Sequence, residues 1–177
     1  MRLFLALWPP IEAAVQLAEI ARTNAERFGG RPTRQETIHL TLSFLGDVPE
    51  AKVPLLVQIM SRIRTAPFDL DFDRIGYWHH NHLLWVGSTS ASAALGELIS
   101  QLRAALAEAG FTIDDAKRGF TPHLTLLRKV PESGSPFELP TMPMISWHCS
   151  SFALVRSETS EAGSAYETIS NFPLLPF

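Results

Sequence analysis

The tetrapeptide His-Leu-Thr-Leu occurs twice in this chain, in "IHLTLSFLG" (Ile38–Gly46) and in "PHLTLLR" (Pro122–Arg128). A pair of such tetrapeptides in one short sequence points to internal duplication. The surroundings repeat in the same order. The apolar run Leu3–Trp8, a helical pattern and a linker lead to the first motif; "LLWVG" (Leu83–Gly87), a second helical pattern and a linker lead to the other. Strand, helix and strand with attached hairpins predict an α+β fold. The expectation is one bilobal domain, 1–177, with approximate halves 1–80 and 81–177. Each lobe would be a mainly antiparallel sheet packed with helices, and the two motifs would face each other from separate sheets across a central cleft.

Local patterns fill in the elements. Pro10 opens a helix with apolar residues at Ile11, Ala14, Val15, Ala18, Ala21, Ala25 and Phe28, and Gly29-Gly30 closes it. Further helices are predicted over Glu50–Arg64 and Ser90–Ala109. Strands are predicted over Ile38–Leu45, Phe68–Trp78, His123–Val130, Trp147–Arg156 and Ala165–Leu174. "SETSEAGS" reads as the turn joining the last two, and "PESGSPFELPTMP" as a loop.

Bulk composition removes some classes. A chain of 177 residues with 46% hydrophobic and 19% charged residues is globular in character, and a net charge of −3 argues against a generally basic nucleic-acid binder. A local grip on one phosphate stays open. The single cysteine, Cys149, cannot close an internal disulfide, which suits a reducing cytoplasm. The apolar run in "MRLFLALWPP" is too short for a signal sequence, and no stretch is long enough to span a bilayer.

On a strand, the histidine and threonine of His-Leu-Thr-Leu share one face and the leucines take the other. His39 with Thr41, and His123 with Thr125, would therefore meet across the cleft while the leucines anchor each strand to the helices behind. One neutral imidazole can take a proton from water while the other, charged, gives one to a leaving oxygen. Threonine hydroxyls can donate to non-bridging phosphoryl oxygens. In-line cleavage of a phosphodiester needs that set, and needs no metal or other cofactor. Arg128 would add a guanidinium at the strand's end, and Lys117 and Arg118 precede the second motif.

Other candidates read more plainly. The three imidazoles of "HHNH" (His79–His82) form a polar hairpin tip rather than a metal site, because residues in a tight turn diverge and no carboxylate or cysteine completes a set. Trp8, Trp78, Trp85 and Trp147 could stack on a base, but three of them sit in apolar strand contexts and are expected in the core. Phe44 and Phe120, beside the motifs, are better placed for stacking, although core packing is the leading expectation for them too.

The paired motifs belong to a longer pattern: "RLFLALWPP", "GRPTRQETIHLTLSFLGDV", "FDLDFDRIGYW" with "LLWVG", "GFTPHLTLLR", and "FALVRSETSEAGSAYETISNFPL". Through these, nearly the whole chain resembles the 2H phosphoesterases, specifically the RNA 2′,3′-cyclic phosphodiesterases also called 2′-5′ RNA ligases. "HHNH" matches no motif of that family. The resemblance implies a bilobal, pseudo-twofold fold and hydrolysis of an RNA-terminal 2′,3′-cyclic phosphate to a 2′-phosphate, with weak reverse ligation. It implies His39 as proton donor, His123 as acceptor, and Thr41, Thr125 and Arg128 as phosphate-binding residues.

Two alternatives stay beside this reading. The same scaffold could act on a small non-RNA cyclic nucleotide, or the cleft could hold an RNA end without cutting it. The second is disfavoured because mere binding has little use for matched proton carriers, and arginines would serve it better. The expected partners are an RNA end or a small cyclic nucleotide, with no membrane and no obligate protein partner. A monomer is expected.

Overall fold

The first apolar run forms strand β1 (Arg2–Leu7), and beyond Arg2 it is buried on both faces. Leu3, Leu5 and Leu7 enter the main core, while Phe4 and Ala6 join Ala153 and Val155 in a smaller cluster on the opposite face. That two-sided burial is why the run lacks polar alternation. The structure, a computed structural model, describes residues 1–113, 119–132, 138–160 and 163–176.

Helix α1 (Ile11–Phe28) follows Pro10, and the short strand β2 (Arg31–Pro32) follows the two glycines. Next come β3 (Leu40–Asp47), α2 (Val53–Met60), β4 (Phe68–Phe72), β5 (Arg74–Trp78) and β6 (Leu83–Gly87). Helix α3 (Ala93–Glu108), β7 (Leu124–Arg128), β8 (Ile145–Cys149), β9 (Ser151–Ser160) and β10 (Gly163–Pro173) complete the order. Ser92 caps α3, its hydroxyl accepting from the Leu95 amide at 3.2 Å.

The fold is α+β with antiparallel sheets. The main sheet runs β10-β9-β1-β3-β7-β6-β5, with β2 against β7, and β4 and β8 form a separate two-stranded ribbon. The two motif strands do not lie in separate sheets. They are neighbours, bridged at a single pair, Leu40 with Leu124. With His and Thr on one face and Leu on the other, the two backbone edges remain able to pair, and the seam closes edges that would otherwise be open. Helix α1 packs on β2 and β7, and α3 packs on β3, so each helix covers the motif strand that does not follow it in the chain. Leu40, Leu42, Leu124 and Leu126 are fully buried beneath them.

Several boundaries differ from expectation. The helix predicted over Glu50–Arg64 is a 3₁₀ turn (Glu50–Lys52) followed by the shorter α2, because Pro54 is tolerated only in the first turn of an α-helix. The strand predicted over Phe68–Trp78 breaks at Asp73, whose carboxylate accepts from the Thr89 amide at 2.8 Å while the chain passes from the ribbon to the main sheet. The strand predicted over Trp147–Arg156 breaks at Ser150 for the same change of sheet. "SETSEAGS" is strand over Ser157–Ser160 and again from Gly163, since β9 and β10 stay paired as far as Ser160 with Gly163. The described part of "PESGSPFELPTMP" has no regular structure; 133–137 lie outside the described residues. Among the described residues, no helix is long and apolar enough to cross a membrane.

Candidate active site

The Leu40–Leu124 bridge brings the two motifs together. His39 and Thr41 flank Leu40, and His123 and Thr125 flank Leu124, so the one bridge brings both pairs to the same seam. All four side chains, with Arg128, line one cavity of about 920 Å³. Lys117 and Arg118 lie outside the described residues.

Each histidine is held in the same tautomer by the same local device. Nδ1 of His39 lies 2.7 Å from the Thr37 carbonyl oxygen, and Nδ1 of His123 lies 2.8 Å from that of Thr121. A carbonyl can only accept, so Nδ1 carries the hydrogen in both rings and Nε2 is the nitrogen available for proton transfer. At His39 the Thr41 hydroxyl donates to Nε2 at 3.0 Å. Thr37 and Thr121 were not singled out from the sequence. Their signal was present, because the repeated unit is Thr-x-His-x-Thr in both halves.

The two imidazoles differ in environment. Burial, against a smaller opposing pull from the Thr37 carbonyl, pushes the His39 pKa down to about 4, with further lowering by the charges of Arg128 and His123. His123 is also lowered, by burial first and by Arg128. Arg128 is thus close enough to act on both rings. Both shifts favour the neutral imidazole at neutral pH.

Residues 7–85 match the family model described as LigT like Phosphoesterase. The RNA 2′,3′-cyclic phosphodiesterase of Escherichia coli (strain K12) is 35% identical over 132 residues, 75% of this chain and 74% of that protein. The chain belongs to the LigT-like phosphoesterase family. A relative from Thermus thermophilus, also named RNA 2′,3′-cyclic phosphodiesterase, is 33% identical over 98% of this chain and 90% of its own length. The crystal structure of E. coli LigT complexed with 3′-AMP has a TM-score of 0.86 at 30% identity, covering 98% of this chain and 97% of that one.

In this LigT-like phosphoesterase an aromatic shell holds the two rings. His39 contacts Phe4, Trp8 and, edge-on, Tyr166, with ring centroids at 4.9, 5.3 and 5.1 Å. Trp78 stands edge-on to His123 at 4.5 Å. Trp85 and Trp147 are buried, as expected of core residues, whereas Trp8 and Trp78 are only partly buried and flank the imidazoles. Nothing local marks Trp8 or Tyr166 for this place; they meet His39 because β1 lies between β3 and β9.

Phe44 also departs from expectation. It is 44% exposed and lines the cavity, where simple alternation puts it with Leu40 and Leu42 in the core. A register shift opposite Leu5 and Ala6 makes Leu42 and Ser43 consecutive buried residues, which returns Phe44 to the cleft face. Phe120 is half-buried against the core and reaches the same cavity. At the "HHNH" turn, His82 Nδ1 and the Tyr77 hydroxyl are hydrogen-bonded at 3.3 Å, while His80 and Asn81 line the cavity rim. Among the described residues no group of three or more His, Cys, Asp or Glu side chains could hold a metal ion.

Proposed function

We propose that this protein hydrolyses the 2′,3′-cyclic phosphate at an RNA end to a 2′-phosphate, by acid–base catalysis between His39 and His123 without a metal. The observation that carries the reading is the matched pair of imidazoles, each with Nδ1 committed to a carbonyl two residues upstream and both lining one cavity. The names of the relatives and the nucleotide bound to E. coli LigT support the substrate class.

In the proposed step, His123 takes a proton from water and the water oxygen attacks phosphorus. The bond from phosphorus to the 3′ oxygen breaks, and His39 gives that oxygen its proton. Thr41 and Thr125 donate to the non-bridging oxygens, and Arg128 balances their charge. Assigning donor and acceptor in this order follows the family resemblance.

A donor at neutral pH must be charged, and burial by itself keeps His39 neutral there. One negative charge about 4 Å away, at an effective dielectric near 20, contributes roughly 4 kcal/mol, or about three pK units. Bound cyclic phosphate therefore suffices to raise His39 from about 4 to near neutrality. Substrate binding and protonation of the acid are the same event.

With the 5′-hydroxyl of another chain attacking in place of water, the same residues join a cyclic phosphate end to it through a 2′-5′ linkage, the 3′ oxygen again leaving with the proton from His39; abundant water makes hydrolysis the main outcome. The halves 1–80 and 81–177 are read as duplicates within one bilobal domain, on the shared order β1-α1-β3 and β6-α3-β7. The single cysteine, Cys149, is free and buried, which suits the cytoplasm.

The deciding experiment is incubation with an oligoribonucleotide ending in a 2′,3′-cyclic phosphate, in EDTA, with the product phosphomonoester identified. A 2′-monoester is expected. A 3′-monoester, or no product, refutes the reading.

A further inference from the structure

Four arginines, Arg2, Arg31, Arg34 and Arg128, line the cavity, and among the described residues that line it there is no aspartate or glutamate. In a chain of net charge −3 that is a strong local bias. Arg34 is engaged, donating to the Ser164 carbonyl at 2.8 Å and lying 3.4 Å from Glu36. Arg31 and Arg128 are different. They stand directly opposite each other in the β2–β7 pair. Opposed side chains of antiparallel strands share a face with Cβ atoms about 4.5–5.5 Å apart, and like charges in that position are destabilising. No carboxylate among the described residues offsets the pair.

The backbone holds Arg31 there. Gly30, with φ +90°, lets the chain turn back so tightly that an added Cβ would lie 3.0 Å from the Arg128 carbonyl oxygen. Beyond β2, the Thr33 amide donates to the Leu126 carbonyl at 2.7 Å. A repulsive pair fixed from both ends and opening on a cavity calls for an anion. Arg128 is the member whose charge acts on both imidazoles, which leaves Arg31 on the outer side of the pair. At about 920 Å³ the cavity lies toward the upper end of the roughly 300–1,000 Å³ usual for small-ligand sites, with room for more than a cyclic phosphate and its nucleoside.

We propose that Arg31 and Arg128 act as a two-guanidinium clamp on an RNA strand, Arg128 at the reactive phosphate and Arg31 at the phosphodiester one step to its 5′ side. The site then prefers an RNA end to a nucleoside 2′,3′-cyclic phosphate, which lacks that phosphodiester. This rests on the phosphodiesterase reading above and extends it to a residue outside both motifs. A planar, permanently charged guanidinium suits a phosphodiester oxygen pair better than an ammonium does.

The test compares kcat/KM on a pentaribonucleotide ending in 2′,3′-cyclic phosphate with that on a nucleoside 2′,3′-cyclic phosphate. Arg31→Ala lowers the ratio of the two about tenfold, chiefly through KM on the oligomer, and Arg31→Lys restores part of it. The slope of log kcat/KM against log salt on the oligomer becomes shallower by about 0.7, as for one lost contact to a single strand. An unchanged ratio in a variant with the wild-type melting midpoint overturns the proposal, as does an equal loss on both substrates. If Arg31→Ala fails to fold, Arg31→Gln takes its place under the same criteria. If the wild type cleaves neither substrate, the phosphodiesterase reading fails by itself. Arg31 is then judged by titration with a pentaribonucleotide 2′-phosphate, where equal affinity of wild type and Arg31→Ala overturns its role.

Discussion

Phe44 and Arg128 occupy the same place relative to the two motifs, each five residues past the motif histidine, and both reach the cavity. In each motif strand a register shift makes two consecutive residues buried just before them, Leu42-Ser43 in β3 and Leu126-Leu127 in β7. The matched bulges turn a position that alternation assigns to the core into a cleft position, twice. One motif strand then presents a phenyl ring there and the other a guanidinium, so two strands with the same local pattern give a chemically one-sided cleft.

That asymmetry separates two losses. Arg128→Ala is expected to lower kcat by roughly 10²–10³, as for removal of a group that stabilises transition-state charge. Phe44→Ala is expected to act on KM, through about 1–3 kcal/mol of lost stacking on a base. Steady-state kinetics on the cyclic-phosphate oligomer distinguish them, and a kcat effect at Phe44 with none at Arg128 contradicts the assignment.

His39→Ala and His123→Ala should each cost roughly 10²–10⁴ in kcat. The wild-type rate should follow a bell-shaped pH profile that EDTA leaves in place, and each variant should lose one limb of it. Full activity in either variant removes that histidine from the chemistry.

Binding should raise the His39 pKa, since an anion in the cavity favours the charged ring. Titration of the His39 ring protons by NMR, with and without a nucleoside 2′-monophosphate, is expected to move its midpoint upward from about 4 toward neutrality. An unmoved midpoint means the acid is charged by some other route, or that His39 is not the acid.

The same depressed pKa links stability to pH. Unfolded His39 binds a proton near its ordinary value of 6.5, whereas the folded ring does so only near 4. Between those values the unfolded state holds more protons, so stability is full above 6.5 and falls as pH drops toward 4. The loss contributed by this one ring is at most about 3 kcal/mol. Denaturant unfolding of wild type and His39→Gln across this window measures it; parallel curves argue against a buried neutral imidazole.

Gly76 lies under Trp85, and a Cβ there would come within 2.1–2.4 Å of the indole ring. Trp85 packs on Trp78, which packs on His123, with ring centroids at 5.2 and 4.5 Å. Gly76→Ala is therefore expected to lower stability by about 1–3 kcal/mol through overpacking and to reduce activity with it. Thermal melting and turnover measured together check this, and a stable, fully active variant would show that the indole stack does not position the imidazole.

By itself the sequence determined what depends on neighbours along the chain. A period of two put each histidine with its threonine and sent the leucines inward, and the recurrence of the unit announced a paired site. The carbonyls that fix both tautomers are two residues upstream, within the same local repeat. Only the tertiary structure decided what depends on a partner strand. The bulges exposing Phe44 and Arg128, the breaks at Asp73 and Ser150, and the placing of Arg31 against Arg128 are all properties of register. A strand's own alternation fixes its faces only while its ladder is unbroken, and where the ladder shifts is set by residues far away in the chain.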